Sequence, residues 1–316
     1  MEVQYHKEVT VRIAAFCMAV VLVWNAVASG SDLANHLQEI SVTVKAGGSE
    51  GSGVIVTREL KLDAKSNETR KVNFVWTAGH VVDSLRSVRD VIDKGTEKKT
   101  VEFKPAEICK ELVEQGRKVG ELRMEAIVVK YSDADDGHDL ALLMVRKQDF
   151  VTASAEFYLS GDPVPIGTNL FHVGSLLGQA GANSMTSGIM SQIGRVLSLG
   201  KSSGQVFDQV TTVAFPGSSG GGVFLASGDS EGKCIGMLVR GAGEGFNLVV
   251  PARRMKTWCN DVKLQWAIDP AVACPTLEEV GRINVQDAAV EAKLKSSEPT
   301  PAQVTVEFPL LIQRRH

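Results

Sequence analysis

Three short segments hold the residue types that acyl transfer requires. The first, Trp76-Thr77-Ala78-Gly79-His80-Val81-Val82, ends a β-type run at a small-residue turn and delivers a histidine. The second, His138-Asp139-Leu140-Ala141-Leu142-Leu143, sets an aspartate directly before an apolar run. The third, Pro216-Gly217-Ser218-Ser219-Gly220-Gly221, embeds a serine among glycines. A serine hydroxyl is a weak nucleophile near neutral pH, so an imidazole must take its proton as it attacks. A carboxylate fixes the working tautomer of that imidazole by accepting from the other ring nitrogen. The substrate carbonyl gains negative charge during attack, which preorganised backbone N–H groups must meet. Glycines around the serine permit a tight turn in which the amides of Gly217 and Ser219 face one pocket. Gly220 and Gly221 let a substrate backbone approach without a Cβ clash.

Each signal is weak alone. Gly-Ser-Ser-Gly-Gly stretches are more often plain turns, histidines after strands are usually structural, and aspartates at strand edges usually cap turns. Their order and spacing raise the specificity. His80 precedes Asp139 by 59 positions and Asp139 precedes Ser219 by 80, room for a set of strands between each pair. His138 and His172 are rival histidines, read as a turn residue and a barrel side chain.

Most of the chain could supply such strands. From about Gln38 to Val250, short runs rich in Val, Ile and Thr alternate with Gly, Asp and Ser, which points to a barrel or sandwich rather than to βα units. Expected strands are Ser41–Ala46, Gly53–Thr57, Val72–Thr77, Thr100–Lys104, Leu122–Tyr131, Ala141–Val145, Thr168–Val173, Met185–Ser191, Val206–Val210, Gly222–Ala226, Gly236–Val239 and Phe246–Val250. Two helices are expected. One spans Val82–Asp93, with Val82, Leu85, Val88 and Ile92 near helical spacing. The other runs from Pro251 to about Trp266, with proline as the start signal. Arg58–Lys71 reads as a polar hairpin tip, and Ile108–Glu121 fits either a hairpin or a short helix.

Length and charge bound the rest. The chain has 316 residues and a formal net charge of −3, so no nucleic-acid partner is expected. Lys7 and Arg12 precede an apolar run of 12 residues, Ile13 to Trp24, followed by Ala26-Val27-Ala28. That pattern fits a secretory signal over residues 1–28 and is shorter than the ~20 residues a spanning helix needs. An uncleaved N-terminal anchor is the alternative and the one expected route to a membrane. Export would leave Cys109, Cys234, Cys259 and Cys274, compatible with free thiols or with one or two disulfides. No CxxC pair suggests a metal. A folded domain is expected over residues 29–266 and a partly disordered extension over 267–316, with Asp287–Gln303 rich in Ala, Glu, Lys, Ser and Pro.

The three chemical segments resemble the trypsin-like serine peptidases, and more closely their HtrA/DegP-type branch. Gly167-Thr-Asn-Leu-Phe-His-Val-Gly174, Met185-Thr-Ser-Gly-Ile-Met-Ser-Gln-Ile-Gly-Arg195 and Gly51-Ser-Gly-Val-Ile-Val56 carry the closer likeness. The resemblance covers about Gln38 to Trp258 and implies an all-β fold of two six-stranded antiparallel β-barrels with a cleft between them. It implies a catalytic triad of His80 as base, Asp139 as orienter and Ser219 as nucleophile. Gly217 and Ser219 would form the oxyanion hole. No cofactor or metal is implied, and the substrates would be proteins or peptides. A first substrate pocket is expected from Val213, Ala214, Val239, Arg240, Gly241 and Phe246. Without an acidic residue at its base, that pocket would favour small or medium apolar side chains.

Ser218 stands where digestive relatives carry an aspartate that pairs with a new N-terminus, so activation by an internal clip is not expected. The 53 residues from Leu264 to His316 are too few for the PDZ domain usual in HtrA-like proteins, about 80–100 residues. Regulation would fall to the tail, to homo-oligomer formation or to the substrate. The rival readings are an inactive binding scaffold on the same fold and an esterase, the latter disfavoured by the lack of a Gly-x-Ser-x-Gly elbow.

Overall fold

In a computed structural model the protein is described over residues 32–285, apart from 94–95, 115, 148, 199–203 and 242–244. A helix over residues 32–39 (α1) leads into fourteen strands. Six of them, β1 (Ser41–Ala46), β2 (Ser49–Lys61), β3 (Thr69–Thr77), β6 (Ala106–Glu114), β7 (Arg117–Ser132) and β8 (Leu140–Val145), close an antiparallel barrel in the order β1-β2-β3-β8-β7-β6. β9 (Asn169–Gly174), β10 (Ser184–Leu197), β11 (Gln205–Val210), β12 (Gly222–Leu225), β13 (Cys234–Gly241) and β14 (Asn247–Pro251) close a second in the order β10-β11-β14-β13-β12-β9. The expectation of two six-stranded barrels is met.

Strand alternation explains the cores. In β2 and β3 the register Val54↔Trp76 to Lys61↔Thr69 sets Val54, Val56, Phe74 and Trp76 on one face and Ile55 and Val75 on the other, and both rows are buried. Leu170, Met190, Val210, Val223 and Val249 fill the second barrel. Each fully buried aliphatic or aromatic side chain contributes about 1.5–3 kcal/mol, and a slip of one residue would exchange the two faces and break both sets of contacts.

After β14, α3 (Ala252–Asp261) buries Met255 and Trp258. The Trp258 ring meets Trp76 edge-on at 6.0 Å. Trp76 Nε1 donates to the Ala267 carbonyl at 3.0 Å, and Arg58 Nε donates to Trp266 O at 2.8 Å. Further along, Tyr131 N donates to Val285 O at 3.0 Å. Residues 262–285 thus strap the first barrel, including a short helix α4 (Leu277–Val280) closed by a capping box between Thr276 and Glu279.

Several local expectations need correcting. Val82–Asp93 is not a helix. After α2 (Gly79–Val82) and a 3-10 turn at Asp83–Leu85, the chain extends as β4 (Arg86–Asp93) and pairs with β5 (Thr96–Phe103), from Arg86↔Phe103 to Asp93↔Thr96. Pairing across this hairpin overrides the helical spacing. The second helix is shorter than expected. It ends at Asp261, and Lys263 turns to φ 61. Ile108–Glu121 resolves as the β6–β7 hairpin, and the polar Arg58–Lys71 stretch is a hairpin end as expected, with β2 running to Lys61 and β3 starting at Thr69. All four described cysteines are free thiols, with Cys109, Cys234 and Cys259 buried. The expected signal segment and the Asp287–Gln303 tail lie outside the described residues. No described helix is long and apolar enough to cross a membrane.

Candidate active site

The first barrel contributes the imidazole and the carboxylate. β3 stops at Thr77, Ala78 is extended, and α2 begins at Gly79. A Cβ at 79 would overlap the Ser132 carbonyl oxygen, so glycine lets this turn pack against the chain entering β8. Across from it, Asp133 Oδ1 accepts from the N–H groups of Asp135 and Asp136 at 2.8 and 3.0 Å, an Asx turn. Ser132 Oγ accepts from His138 N at 2.7 Å. This braced loop holds Asp139 at φ 56, a left-handed conformation that aspartate tolerates better than most side chains.

The two side chains then meet closely. His80 Nδ1 lies 2.9 Å from Asp139 Oδ1 and 3.0 Å from Oδ2, and His80 N donates to Oδ1 at 2.9 Å. Asp139 is buried, which opposes its charge. The ring and backbone hydrogen bonds of His80, with Arg240 nearby, outweigh that burial and hold the carboxyl below its ordinary value. An ionised, nearly buried carboxylate on Nδ1 leaves Nε2 as the free base face of the imidazole.

The second barrel contributes the serine. Ser219 lies with His80 in one cleft of about 460 Å³. Its loop is tied to the first barrel by Ser52 on β2. Ser52 Oγ donates to Gly217 O at 2.7 Å and accepts from Ser175 N at 2.7 Å, while Ser52 N donates to Ser219 O at 2.7 Å. Leu177 N donates to Pro216 O at 2.8 Å. In a trans peptide the carbonyl and the next N–H point opposite ways, so the Gly217 N–H faces away from the 175–183 loop. Gly217 has φ 97, and a Cβ there would overlap Ser175 O and the Gly178 backbone. Among the described residues, neither Gly217 N nor Ser219 N donates to a protein acceptor. Ser218 is fully buried, its Oγ accepting from Phe215 N at 3.1 Å. Ser219 Oγ makes no hydrogen bond to His80 among the described residues. Such contacts commonly tighten only around bound substrate.

The other expected site residues divide. Ala214, Val239, Arg240 and Gly241 line the cleft, whereas Val213 and Phe246 are outside its lining. Val213 O accepts from Thr186 Oγ1 at 2.8 Å, and Phe246 lies under the Arg195 guanidinium at 5.4 Å. Phe215, Pro216, Leu238 and Asn247 complete the lining and were not foreseen. Asn247 is brought there by its pairing with Gly241 across β13 and β14, a register that no local signal reveals. His172 is fully buried in β9 with Nδ1 3.0 Å from Gly222 O, and His138 packs on Trp258.

The profile of the family described as trypsin-like peptidase domain matches residues 51–237. That match covers more than half of the chain, which therefore belongs to the trypsin-like peptidase family. Solved structures with a similar fold include the inactive form of the Rv3671c protease of M. tuberculosis H37Rv, 16% identical over 72% of this chain and 91% of that one, with a TM-score of 0.50. Deg5 is 20% identical over 76% of this chain and 95% of its own, with a TM-score of 0.49. A serine endoprotease from Yersinia pestis is 16% identical over 75% of this chain, with a TM-score of 0.49; the match spans 66% of that protein, just under two-thirds. No curated protein sequence matches the chain.

Proposed function

We propose that this chain is a serine endopeptidase that hydrolyses protein or peptide substrates through an acyl-enzyme. The supporting observation is the pairing of His80 with Asp139 at 2.9 and 3.0 Å in the cleft that also holds Ser219. On this reading Ser219 Oγ attacks the scissile carbonyl as His80 Nε2 takes its proton. His80 then protonates the leaving amine, and water repeats the sequence to free the acid. Asp139 orients the ring and stabilises the imidazolium. The Gly217 and Ser219 amides, which have no acceptor among the described residues, serve as the oxyanion hole.

Substrate would add as a strand. β12 pairs with β13 only as far as Met237, and Leu238 bonds Gly221, so among the described residues Val239–Gly241 have an edge without a strand partner beside the cleft. Ala214, Phe215, Pro216, Leu238 and Val239 make the cleft largely apolar, which supports a small or medium apolar residue before the scissile bond. The N-terminal run supports a secreted or envelope setting.

The test uses a fluorophosphonate probe and unfolded casein, with Ser219→Ala alongside. Labelling and cleavage that both vanish in the variant are expected. A well-folded protein that neither labels nor cleaves would point to a binding scaffold, and labelling without protein cleavage to an esterase.

A further inference from the structure

Arg240 places a cation where acyl transfer requires none. Of the described residues lining the cleft, only His80 and Arg240 are ionisable. Arg240 Nη2 lies 3.8 Å from Asp139 Oδ2, at the limit of an ion pair, and both Asp139 oxygens already face His80 Nδ1 at 2.9 and 3.0 Å. The Asp139 charge also acts on Arg254, whose guanidinium donates to Val206 O and Gly137 O. Arg240 Nε is buried and has no hydrogen-bond partner among the described residues. A half-buried guanidinium with an unmet donor and an under-compensated charge is matched by a carboxylate, which accepts from its planar fork.

The position adds direction. Arg240 belongs to the β13 segment whose edge lacks a strand partner, and it pairs with Leu248 on the other side. A substrate strand laid on that edge runs its side chains past the guanidinium. We propose that Arg240 selects substrates with Asp or Glu at the second, third or fourth residue before the scissile bond. This rests on the peptidase reading and adds an acidic requirement beside its apolar first pocket.

The test uses the full chain and fluorogenic peptides that share one apolar residue before the scissile bond, with Glu, Gln or Lys placed in turn at the three preceding positions. Wild type, Arg240→Gln and Arg240→Lys are compared by the Glu-to-Gln ratio of kcat/KM within each protein, which cancels any change in overall rate. A charge-assisted pair in the cleft corresponds to a ratio of about 10–100 in wild type at one position. The ratio should approach 1 in Arg240→Gln and stay above 1 in Arg240→Lys. Equal cleavage of Glu and Gln peptides by wild type, or a ratio that survives Arg240→Gln, would overturn the proposal. Fluorophosphonate labelling of Ser219 separates the two failures. Labelling with a ratio of 1 removes the acidic preference alone, whereas no labelling removes the peptidase reading and the preference with it.

Discussion

The N–H of Leu177 donates to the carbonyl of Pro216 at 2.8 Å, and this one bond sets which way the Gly217 amide faces. The loop that carries Leu177 is itself anchored. Gln179 N donates to Glu50 Oε2 at 2.8 Å, and Gln179 Nε2 donates to Glu121 Oε2 at 2.6 Å. Those partners belong to the first barrel, so the loop that carries Gly217 and Ser219 is braced from outside its own barrel.

Gly217→Ala should therefore damage chemistry more than binding. A methyl group at φ 97 collides with Ser175 O and the Gly178 backbone, which forces the loop to shift and turns the amide away. Loss of one such donor costs about 100–1,000-fold in kcat, with KM changed only a few-fold. Steady-state kinetics on a peptide substrate decide this. An unchanged kcat would remove Gly217 from the oxyanion hole.

Asp139→Asn should cut kcat by about 10⁴-fold, because the amide favours the wrong imidazole tautomer. It should also leave a signature in stability. Burial opposes the charge of Asp139, but His80 and Arg240 hold its carboxyl below the ordinary 3.8. The stability this provides is present above about pH 4 and is lost as pH falls through the lower native value. Denaturant titrations should show the deficit of Asp139→Asn shrinking below about pH 4. A deficit constant with pH would contradict the assigned ion pair.

His172 makes the opposite kind of prediction. Burial lowers its pKa from 6.5 to about 4, against the opposing effect of its bond to Gly222 O, so the folded protein keeps it neutral while the unfolded chain takes up a proton. Stability should fall as pH drops from about 6.5 to 4, by roughly 3 kcal/mol from this residue. The advantage of wild type over His172→Gln should narrow across that window. A flat difference would show that the ring titrates normally.

Arg253 on α3 grips Asp208 on β11 through two bonds of 2.6 and 2.5 Å, and Asp208 Oδ1 also accepts from Gly194 N at 2.9 Å. Asp208 is almost fully buried and Arg253 partly exposed, so Arg253→Met strands a carboxylate and should cost about 3 kcal/mol. Asp208→Asn combined with Arg253→Met should cost less than the two single changes added. Chemical denaturation of the four proteins measures the coupling, and strict additivity would deny it.

Much of this architecture was legible because it rests on local patterns. β1 has the expected bounds, Ser41–Ala46, since a short run of consecutive β-branched residues, Val42 to Val44, between turns leaves little choice. The residues of the His80–Asp139 pair were legible from strand ends that deliver polar groups, although their mutual distance was not. The β4–β5 hairpin was misread because Val82, Leu85, Val88 and Ile92 satisfy a helical period, while its partner strand lies beyond a turn. The cleft lining was only half legible. Leu238 and Asn247 enter it through cross-strand register, a property of two segments jointly.

Ser52 reaches across from the first barrel to Gly217, Ser175 and Ser219. On the proposed reading, the proton acceptor comes from one half of the molecule and the attacking oxygen from the other. A chain with only one half formed thus owns no working cutting centre. On that reading, surrounding polypeptides are spared until both halves have docked.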